Sequence, residues 1–294
     1  MIRLARYAWA VLLFNIGVIL VGAWVRATGS GAGCGRSWPA CQGELIPDLE
    51  GATAIEFSHR AVSGVALALV AILVIWVFRL VPRGGSARIG VTVAALSIVG
   101  EALIGAAIVL AEWVADDASV ARAVAVPLHL VNTLVLLAAL ALTGFWLSGG
   151  GPLAWDQAGT TRRWVVAGGV ALIALSATGA ITALADTLFP KGASSGEESF
   201  LTALRVIHPI LAVFAASVGW LLWRRAQPPD LLVGVALPTL VGAMLMSGIL
   251  NVILGVPVWL QLVHLFLADA LWVTFVLASA AAIQVPAPEP QLSG

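Results

Sequence analysis

The chain has 294 residues, of which 61% are hydrophobic and 10% are charged, and its mean hydropathy is +1.02. Soluble domains carry about 25% charged residues. The 15 basic and 15 acidic side chains therefore cannot cover the surface of a soluble fold of this length. The formal net charge is zero and no lysine- or arginine-rich block occurs, which argues against nucleic acid as a partner. The composition predicts an integral membrane protein whose surface contacts the lipid bilayer.

The first apolar run, from Tyr7 to Val25, follows Arg3 and Arg6 and superficially resembles a signal peptide. Signal peptides have an apolar core of about 7–15 residues, whereas a bilayer crossing takes about 20. The run has the longer length and ends in Arg26 without a small-residue cleavage site. We therefore expect a retained first membrane helix.

Apolar runs bounded by Pro, Gly and charged clusters predict eight membrane-spanning helices. Their approximate limits are residues 7–26, 57–79, 89–111, 125–147, 164–185, 203–223, 231–254 and 258–283. Arginines cluster in the loops of one side, whereas the opposite loops hold most acids, Glu197 and Glu198 among them. By the positive-inside rule, this asymmetry predicts a multi-pass plasma-membrane protein with both termini in the cytoplasm.

A weak internal repeat predicts two pseudo-symmetric four-helix bundles within this all-α membrane protein. Each half shows a Thr-Gly pair closing its first helix (Thr28–Gly29, Thr178–Gly179), then a long outer loop, then a histidine opening the next helix. Four helices per half give both halves the same orientation. We expect an N-terminal half at 1–150, a C-terminal half at 151–285 and a Pro-rich disordered tail at 286–294.

The four histidines each lie near the start of an even-numbered predicted helix, on the outer side: His59, His129, His208 and His264. Ionisable groups inside a membrane are costly and usually functional. The repeat pairs the histidines two per half, and a flat macrocycle with one imidazole on each face satisfies that arrangement. Haem is the obvious candidate, because histidine is a common axial ligand of haem iron. The alternative is a set of polar contacts between helices.

Arginines near these histidines are candidates for pairing with haem propionates. We favour this role for Arg60, which follows His59 directly, and leave it open for Arg205, three residues before His208. For Arg122, simple extension to the membrane interface is the preferred interpretation.

Three acids stand inside or beside the predicted helices. Glu56 lies one turn before His59, so it is either a proton acceptor beside the porphyrin or a helix-start acid interacting with the helix dipole. Glu101 and Asp269 either line a polar path or are protonated carboxyls bonded to a neighbouring helix, and we prefer the second interpretation.

Cys34 and Cys41 are separated by six intervening residues in the long outer loop. Their spacing matches neither a zinc pair nor a C-x-x-C-H haem attachment site. The compartment outside the plasma membrane permits disulfides. From the residues alone, a bridge that orders the loop and a redox-active dithiol both stay open.

With these residues described, the chain closely resembles the heme A synthase family over about residues 7–283. The resemblance rests on "GAWVRATGSGAGCGRSWPACQG", on "EFSHR" and on the histidine segments "PLHLVNT", "RVIHPILA" and "QLVHLFLADALW". This family oxidises the C8 methyl group of haem O to a formyl group, giving haem A for terminal oxidases. In the family pattern, the third helix often carries an amide where Glu101 stands, which puts the role of Glu101 in doubt.

The resemblance implies a role for each candidate residue. Haem O would be the substrate, flanked by His59 and His129, and haem b the cofactor, ligated by His208 and His264. Glu56 would act beside the reacting edge of the porphyrin, and Cys34 and Cys41 would form a disulfide. A prenyltransferase that makes haem O and oxidase assembly factors are implied as partners, while homo-oligomerisation and the electron acceptor are left open.

Two other functions compete with this interpretation. A non-catalytic diheme cytochrome relaying electrons from quinol would usually stack its haems at different depths, often with two histidines on one helix. This chain has one histidine per helix at a single expected level. A transporter or haem-handling chaperone is weaker still, because intramembrane charges are few and no broken-helix pattern is evident.

Overall fold

The computed structural model describes residues 1–189, 205–226 and 231–285, which contain helices and no strand. The helices are α1 (Ile2–Ala27), α2 (Gly51–Leu80), α3 (Ser86–Leu110), α4 (Val120–Leu147), α5 (Gly159–Leu188), α6 (Ile207–Ala226), α7 (Leu231–Ile253) and α8 (Val258–Ile283). A short 3₁₀ turn, Ser30–Ala32, follows α1. The predicted tail at 286–294 lies outside the described residues, as do Glu197 and Glu198.

Helix boundaries follow the apolar runs but extend beyond them at several starts. α2 begins at Gly51 and α4 at Val120, about one to two turns before the apolar windows. The extra turns carry polar residues. In α4 they are stabilised by Ser119, which caps the helix by accepting a hydrogen bond from the Arg122 backbone N–H at 3.2 Å.

Seven of the described helices are long and apolar enough to cross a membrane. The eighth, α6, has a described apolar part of Ile207–Trp220, which is shorter than a span. The expectation of an all-helical, multi-pass membrane protein is confirmed, and the number of eight spans stays a prediction.

Helix contacts connect α1 with α2 and α4, and α3 with the same two helices; α5 and α7 each contact α6 and α8. A seam brings α1 and α4 against α5 and α8. The Trp272 indole N–H of α8 donates to the Leu134 carbonyl of α4 at 2.8 Å across this seam. Trp272 and Val276 also join the apolar core that α1 to α4 build.

Small residues permit the close packing of α3 on α4. A Cβ added to Gly90 would fall 2.3 Å from Thr143 Oγ1, which no real side chain could tolerate. Close backbone approach at glycine is a common way for membrane helices to associate, because lipid offers no hydrophobic driving force between them.

Candidate functional site

The two histidines of the second half meet across α6 and α8. The ring centroids of His208 and His264 lie 6.3 Å apart, and the ring planes are at 83°. Each Nδ1 has a partner on an adjacent helix: His208 Nδ1 is 3.1 Å from the Leu175 carbonyl oxygen and His264 Nδ1 is 2.8 Å from Ser247 Oγ. These contacts leave Nε2 as the nitrogen of each ring available to a ligand.

This spacing fits one iron between the two rings. Metal–imidazole bonds of about 2.0–2.1 Å on opposite sides of an ion place the two ring centroids roughly 6 Å apart. The donor set is also suitable, since two neutral imidazoles with fixed Nδ1 partners are the axial ligands that haem iron takes in proteins. The residues of the second half therefore fit an axially ligated haem.

Glycines lie against three of the histidine rings. A Cβ added to Gly22 would fall 2.8 Å from His59 Cε1, one added to Gly179 3.0 Å from His208 Cε1, and one added to Gly248 3.5 Å from His264 Cε1. The absence of a side chain at the first two positions is what allows each imidazole to pack against the preceding helix.

These glycines correct the expected register of the repeat. Thr28 ends α1 as predicted, but Thr178 and Gly179 lie inside α5, which continues to Leu188. Gly179 meets its histidine as Gly22 does in the first half, so the structural counterpart of Gly179 is Gly22 rather than Gly29. The Thr-Gly pair occurs in both halves of the sequence, but Gly179 lies against a histidine ring and Gly29 does not. The two pairs are therefore not structural counterparts.

The histidines of the first half lie on α2 and α4. His59 Nδ1 is buried without a hydrogen-bond partner among the described residues. His129 Nδ1 lies 3.0 Å from Oε2 of Glu101 on α3, although its N–H is not aimed along that line. Glu101 also accepts from Asn132 Nδ2 at 2.5 Å and lies 2.9 Å from Thr133 Oγ1. Glu101 thus contacts a neighbouring helix, as expected.

Glu56 is buried at 3% exposure and accepts three hydrogen bonds. Its Oε2 accepts from the Cys34 backbone N–H at 2.7 Å, and its Oε1 accepts from Arg60 Nε at 3.1 Å and Nη2 at 2.5 Å. Arg60 Nη1 donates to the Ser37 and Ala40 carbonyls, both at 2.6 Å. The pair therefore anchors the disulfide loop, which we define as residues 28–50, to α2.

Cys34 and Cys41 form a disulfide, so the expected bridge is confirmed. Gly33 lies directly against α2, where an added Cβ would fall 2.4 Å from the Ala52 carbonyl. Thr53 Oγ1 donates to the Gly33 carbonyl oxygen at 2.8 Å. The bridge, the ion pair and this close contact together hold the loop over the start of α2.

Three arginines lie along the seam at the end nearest the disulfide loop. Arg26 Nη1 donates to the Ala183 carbonyl and to Thr187 Oγ1, both at 2.7 Å, and Nη2 donates to Gln261 Oε1 at 3.0 Å. Arg26 thus connects α1 of the first half to α5 and α8 of the second.

The other two arginines satisfy backbone carbonyls and acids. Arg205 pairs with Asp186 at 3.0 Å and donates to the Ala185 and Phe189 carbonyls near the end of α5. Arg122, expected to extend to the interface, is instead 4% exposed and donates to the Ala115 and Asp117 carbonyls.

Asp269 differs from Glu101. It is 1% exposed on α8, and neither carboxyl oxygen has a hydrogen-bond partner among the described residues. The expected bond to a neighbouring helix is therefore not made by the part of the chain that the structure describes.

Sequence reasoning missed the residues that support the histidines. Gly22 and Gly179 carry no signal alone, because glycine is common in membrane helices. Asn132 and Thr133 could have been identified from the sequence, because they are polar residues within a membrane helix. They lie three and four positions after His129, where helical side chains share a face. Arg26 was treated only as the end of the first span.

Comparison with known families decides the relationship. The model of the family described as "Cytochrome oxidase assembly protein" matches residues 5–276. The chain belongs to this family. Curated heme A synthases are similar to part of it: that of Geobacillus kaustophilus is 39% identical over 137 residues, covering 46% of this chain and 41% of the relative. The heme A synthase of Lysinibacillus sphaericus is 36% identical over 138 residues, covering 46% and 42%. The resemblance to the heme A synthase family is confirmed.

A longer match carries a different name. A protoheme IX farnesyltransferase of Thermus thermophilus is 46% identical over 296 residues, covering 96% of this chain but 49% of the relative. The chain thus spans about half the length of the curated relatives it matches.

Proposed function

We propose that this protein is a heme A synthase that oxidises the C8 methyl group of haem O to a formyl group. The observation that carries the proposal is the His208–His264 pair, whose 6.3 Å centroid separation suits axial ligation of one iron. A second histidine pair in the other half, under the disulfide loop, supplies a separate place for the substrate porphyrin. Haem b, when bound between His208 and His264, supplies a redox-active iron.

The proposed arrangement is two four-helix bundles of eight membrane spans in the plasma membrane, with both termini cytoplasmic. The helix contacts support it, because α1 to α4 and α5 to α8 each connect in a closed ring. His59 and His129 would hold haem O in the first bundle. The side chains of the first bundle then orient the porphyrin and exclude water from its reacting edge.

Glu56 is the proposed proton acceptor beside the methyl group. Converting a methyl to a formyl group with the oxygen of one water molecule releases four protons and four electrons. The electrons must pass to an oxidant from outside this chain, and a carboxylate near the reacting carbon can accept protons. Glu56 stands one turn from His59, is paired with Arg60 and accepts a hydrogen bond from the Cys34 N–H. A carboxylate offers about four acceptor sites, so three bonds leave one free.

We also propose that Arg60 and Arg205 bind haem propionates, for which each must give up an existing hydrogen bond. In the structure both guanidinium groups already donate to carbonyls and pair with acids. Either arginine would have to exchange a protein acceptor for a propionate oxygen, which its five donors in a planar fork allow only in part.

Transfer of a farnesyl group is the second candidate, because the relative from Thermus thermophilus carries that name. We infer that the name belongs to the part of the relative beyond this match, which covers 49% of its length. Carboxylates and substrate phosphates usually hold Mg²⁺ in such chemistry, and the described residues bring no three acidic, histidine or cysteine side chains together as a metal site. The same relative supports a haem O-making prenyltransferase as partner.

One experiment separates these functions. The protein is co-expressed with a haem O source, or supplied instead with haem b and farnesyl diphosphate, and the extracted porphyrins are identified by mass. We expect formyl product only from the haem O arm, and haem O from the second arm would overturn the assignment. Unaltered haem O together with bound haem b would indicate the diheme cytochrome.

A matched variant tests Glu56. Glu56→Gln keeps the side-chain size but loses the charge opposite Arg60, and we expect loss of haem A with haem b retained. Arg60→Lys is the control for loop anchoring, because it removes donors to the loop carbonyls while leaving the Glu56 carboxylate. Equal loss of haem A in both variants would indicate that Glu56 acts only by holding the loop.

A further inference from the structure

We propose that Glu101 is a positioning residue that orients His129 and makes it a stronger electron donor to iron than the ligands of the second half. The inference rests on the proposed function, which assigns His129 to the substrate porphyrin. It gives a role to an acid whose role the sequence left in doubt.

The carboxyl group of Glu101 is held from α4, the helix that carries His129. Donors face both of its oxygens, so the proposal takes it as an ionised carboxylate in place of the protonated form expected from the sequence. Asn132 Nδ2 donates to Oε1 at 2.5 Å, and Thr133 Oγ1 lies 2.9 Å from Oε2. Gly100 allows this approach, since a Cβ there would fall 3.1 Å from Asn132 Oδ1. Asn132 also donates to the Ser97 carbonyl at 2.8 Å. Two anchors therefore fix the carboxylate beside the turn that follows His129.

The held carboxylate lies next to one nitrogen of His129. Glu101 Oε2 is 3.0 Å from Nδ1, a hydrogen-bond distance, while the N–H direction is off the line between the two atoms. No other protein acceptor is bonded to this nitrogen among the described residues. The proposal requires the imidazole to turn about Cβ–Cγ so that its N–H points at the carboxylate. A proton on Nδ1 directed at the carboxylate leaves Nε2 as the ligand.

The other three histidines have neutral surroundings at Nδ1. His208 meets the Leu175 carbonyl, His264 meets Ser247 Oγ, and His59 has no partner among the described residues. A carboxylate acceptor raises the basicity of a ligating imidazole more than a neutral acceptor does. A more basic ligand stabilises the ferric state, so Glu101 lowers the reduction potential of iron in the first half.

The position of Ser247 makes the contrast specific. α3 packs against α4 in the first half, and α7 packs against α8 in the second. Glu101 on α3 and Ser247 on α7 each lie at Nδ1 of the histidine on the following helix. Each has a glycine beside it in the sequence, Gly100 or Gly248. The repeat therefore places a carboxylate in one half and a hydroxyl in the other at corresponding points.

The test is a spectroelectrochemical titration of the full-length protein with haem b as the probe in both halves. His264→Ala identifies the first-half transition, because it removes second-half ligation. We expect Glu101→Gln to shift the first-half midpoint to a more positive potential and leave the second-half midpoint in place. Ser247→Ala is the matched control and should move only the second-half midpoint.

A second variant gives the opposite sign. Thr133→Val keeps the side-chain shape and removes the hydroxyl that lies 2.9 Å from Glu101 Oε2 and 3.0 Å from the His129 carbonyl oxygen. Without that hydroxyl, the carboxylate accepts more strongly from His129 Nδ1, and the first-half midpoint should become more negative. Glu101→Asp keeps a carboxylate on a shorter side chain, so its first-half midpoint should lie between those of the wild type and Glu101→Gln. An unchanged first-half midpoint in Glu101→Gln, or equal shifts of both midpoints, would overturn the role of Glu101.

The outcome is separable from the proposed function, since the titration requires no conversion of haem O. Shifts as expected in a protein that makes no haem A would keep the Glu101 inference and remove the heme A synthase proposal. Haem A formation without a shift of the first-half midpoint in Glu101→Gln would keep the heme A synthase proposal and remove the Glu101 inference. A protein with no first-half haem transition would overturn the Glu101 inference, while haem A formation would still decide the proposed function.

Discussion

The two histidine pairs share a plan but differ in what surrounds them. In the first half, a disulfide-bonded loop lies over the start of α2, and two acids and an arginine stand around the histidines: Glu56, Glu101 and Arg60. In the second half, the described Nδ1 partners are a backbone carbonyl and a hydroxyl. A carboxyl group therefore lies against Nδ1 of a histidine in the first half, whereas the Nδ1 partners in the second half are neutral.

This difference matches two separate tasks. A resident cofactor needs two fixed ligands and a closed environment, which neutral partners and close packing provide. A substrate that reacts needs groups that accept protons and adjust the iron, and charged side chains perform these tasks. The difference therefore supports the proposal that substrate chemistry takes place in the first half and that the second half holds the permanent redox group.

Loss of a ligand should have the strongest effect and separates the halves directly. His264→Ala or His208→Ala should abolish the absorption of resident haem b, because one axial bond is gone. His59→Ala should leave that absorption intact while haem A formation falls below detection. Absorption spectra and extracted porphyrins measure both. Haem b lost equally in all three variants would contradict the division between the halves.

Filling the glycine contacts should give a graded effect. Gly22→Ala would drive a methyl group into His59, Gly179→Ala into His208 at slightly longer distance, and Gly248→Ala only to ordinary contact with His264. We expect porphyrin retention to fall by on the order of tenfold for the first two, as for changes beside metal ligands, and little for the third.

Gly17→Ala is the matched control on α1, since nothing lies within 4 Å of its added Cβ. It should leave porphyrin binding unchanged and stabilise the helix by up to about 1 kcal/mol. Haem content per protein after purification measures the series. A uniform loss across all four variants would show that helix packing in general, rather than ring contact, is being disturbed.

Connection between the halves is tested at Arg26. Arg26→Met removes three hydrogen bonds from the Arg26 guanidinium to α5 and α8, which should cost on the order of 2–4 kcal/mol. Arg88→Met is the control, because Arg88 donates to the Phe78 and Val81 carbonyls within the first half. The temperature at which the protein releases haem b on heating should be lower for Arg26→Met than for the wild type and unchanged for Arg88→Met.

The weakest effect should come from the exposed pair of Arg36 and Glu112. Their side chains are 69% and 60% exposed and approach to 3.7 Å. Exposed pairs contribute little because water screens them, so Arg36→Ala should change stability by less than about 0.5 kcal/mol. A large loss of haem A in this variant would instead place Arg36 in the first-half site.

Amino-acid order alone predicts the membrane class and the helices, both of which the structure confirms, and it identifies the four histidines as candidate ligands. A chain with 10% charged residues must face lipid, and apolar runs of spanning length become helices because the bilayer offers the backbone no other hydrogen-bond partners. The four histidines were visible because ionisable residues are rare inside membranes. The disulfide followed from the family resemblance, since two cysteines alone left a redox dithiol open.

Tertiary packing was needed to show which side chains support the histidines. The contact of Gly22 with His59, the clamp of Asn132 and Thr133 on Glu101, and the reach of Arg26 into the second half all join different helices. Periodicity describes one helix at a time, so it cannot specify the rotation and depth of one helix against another. Those depend on how the helices pack together, at small residues within each half and at Arg26 between the halves.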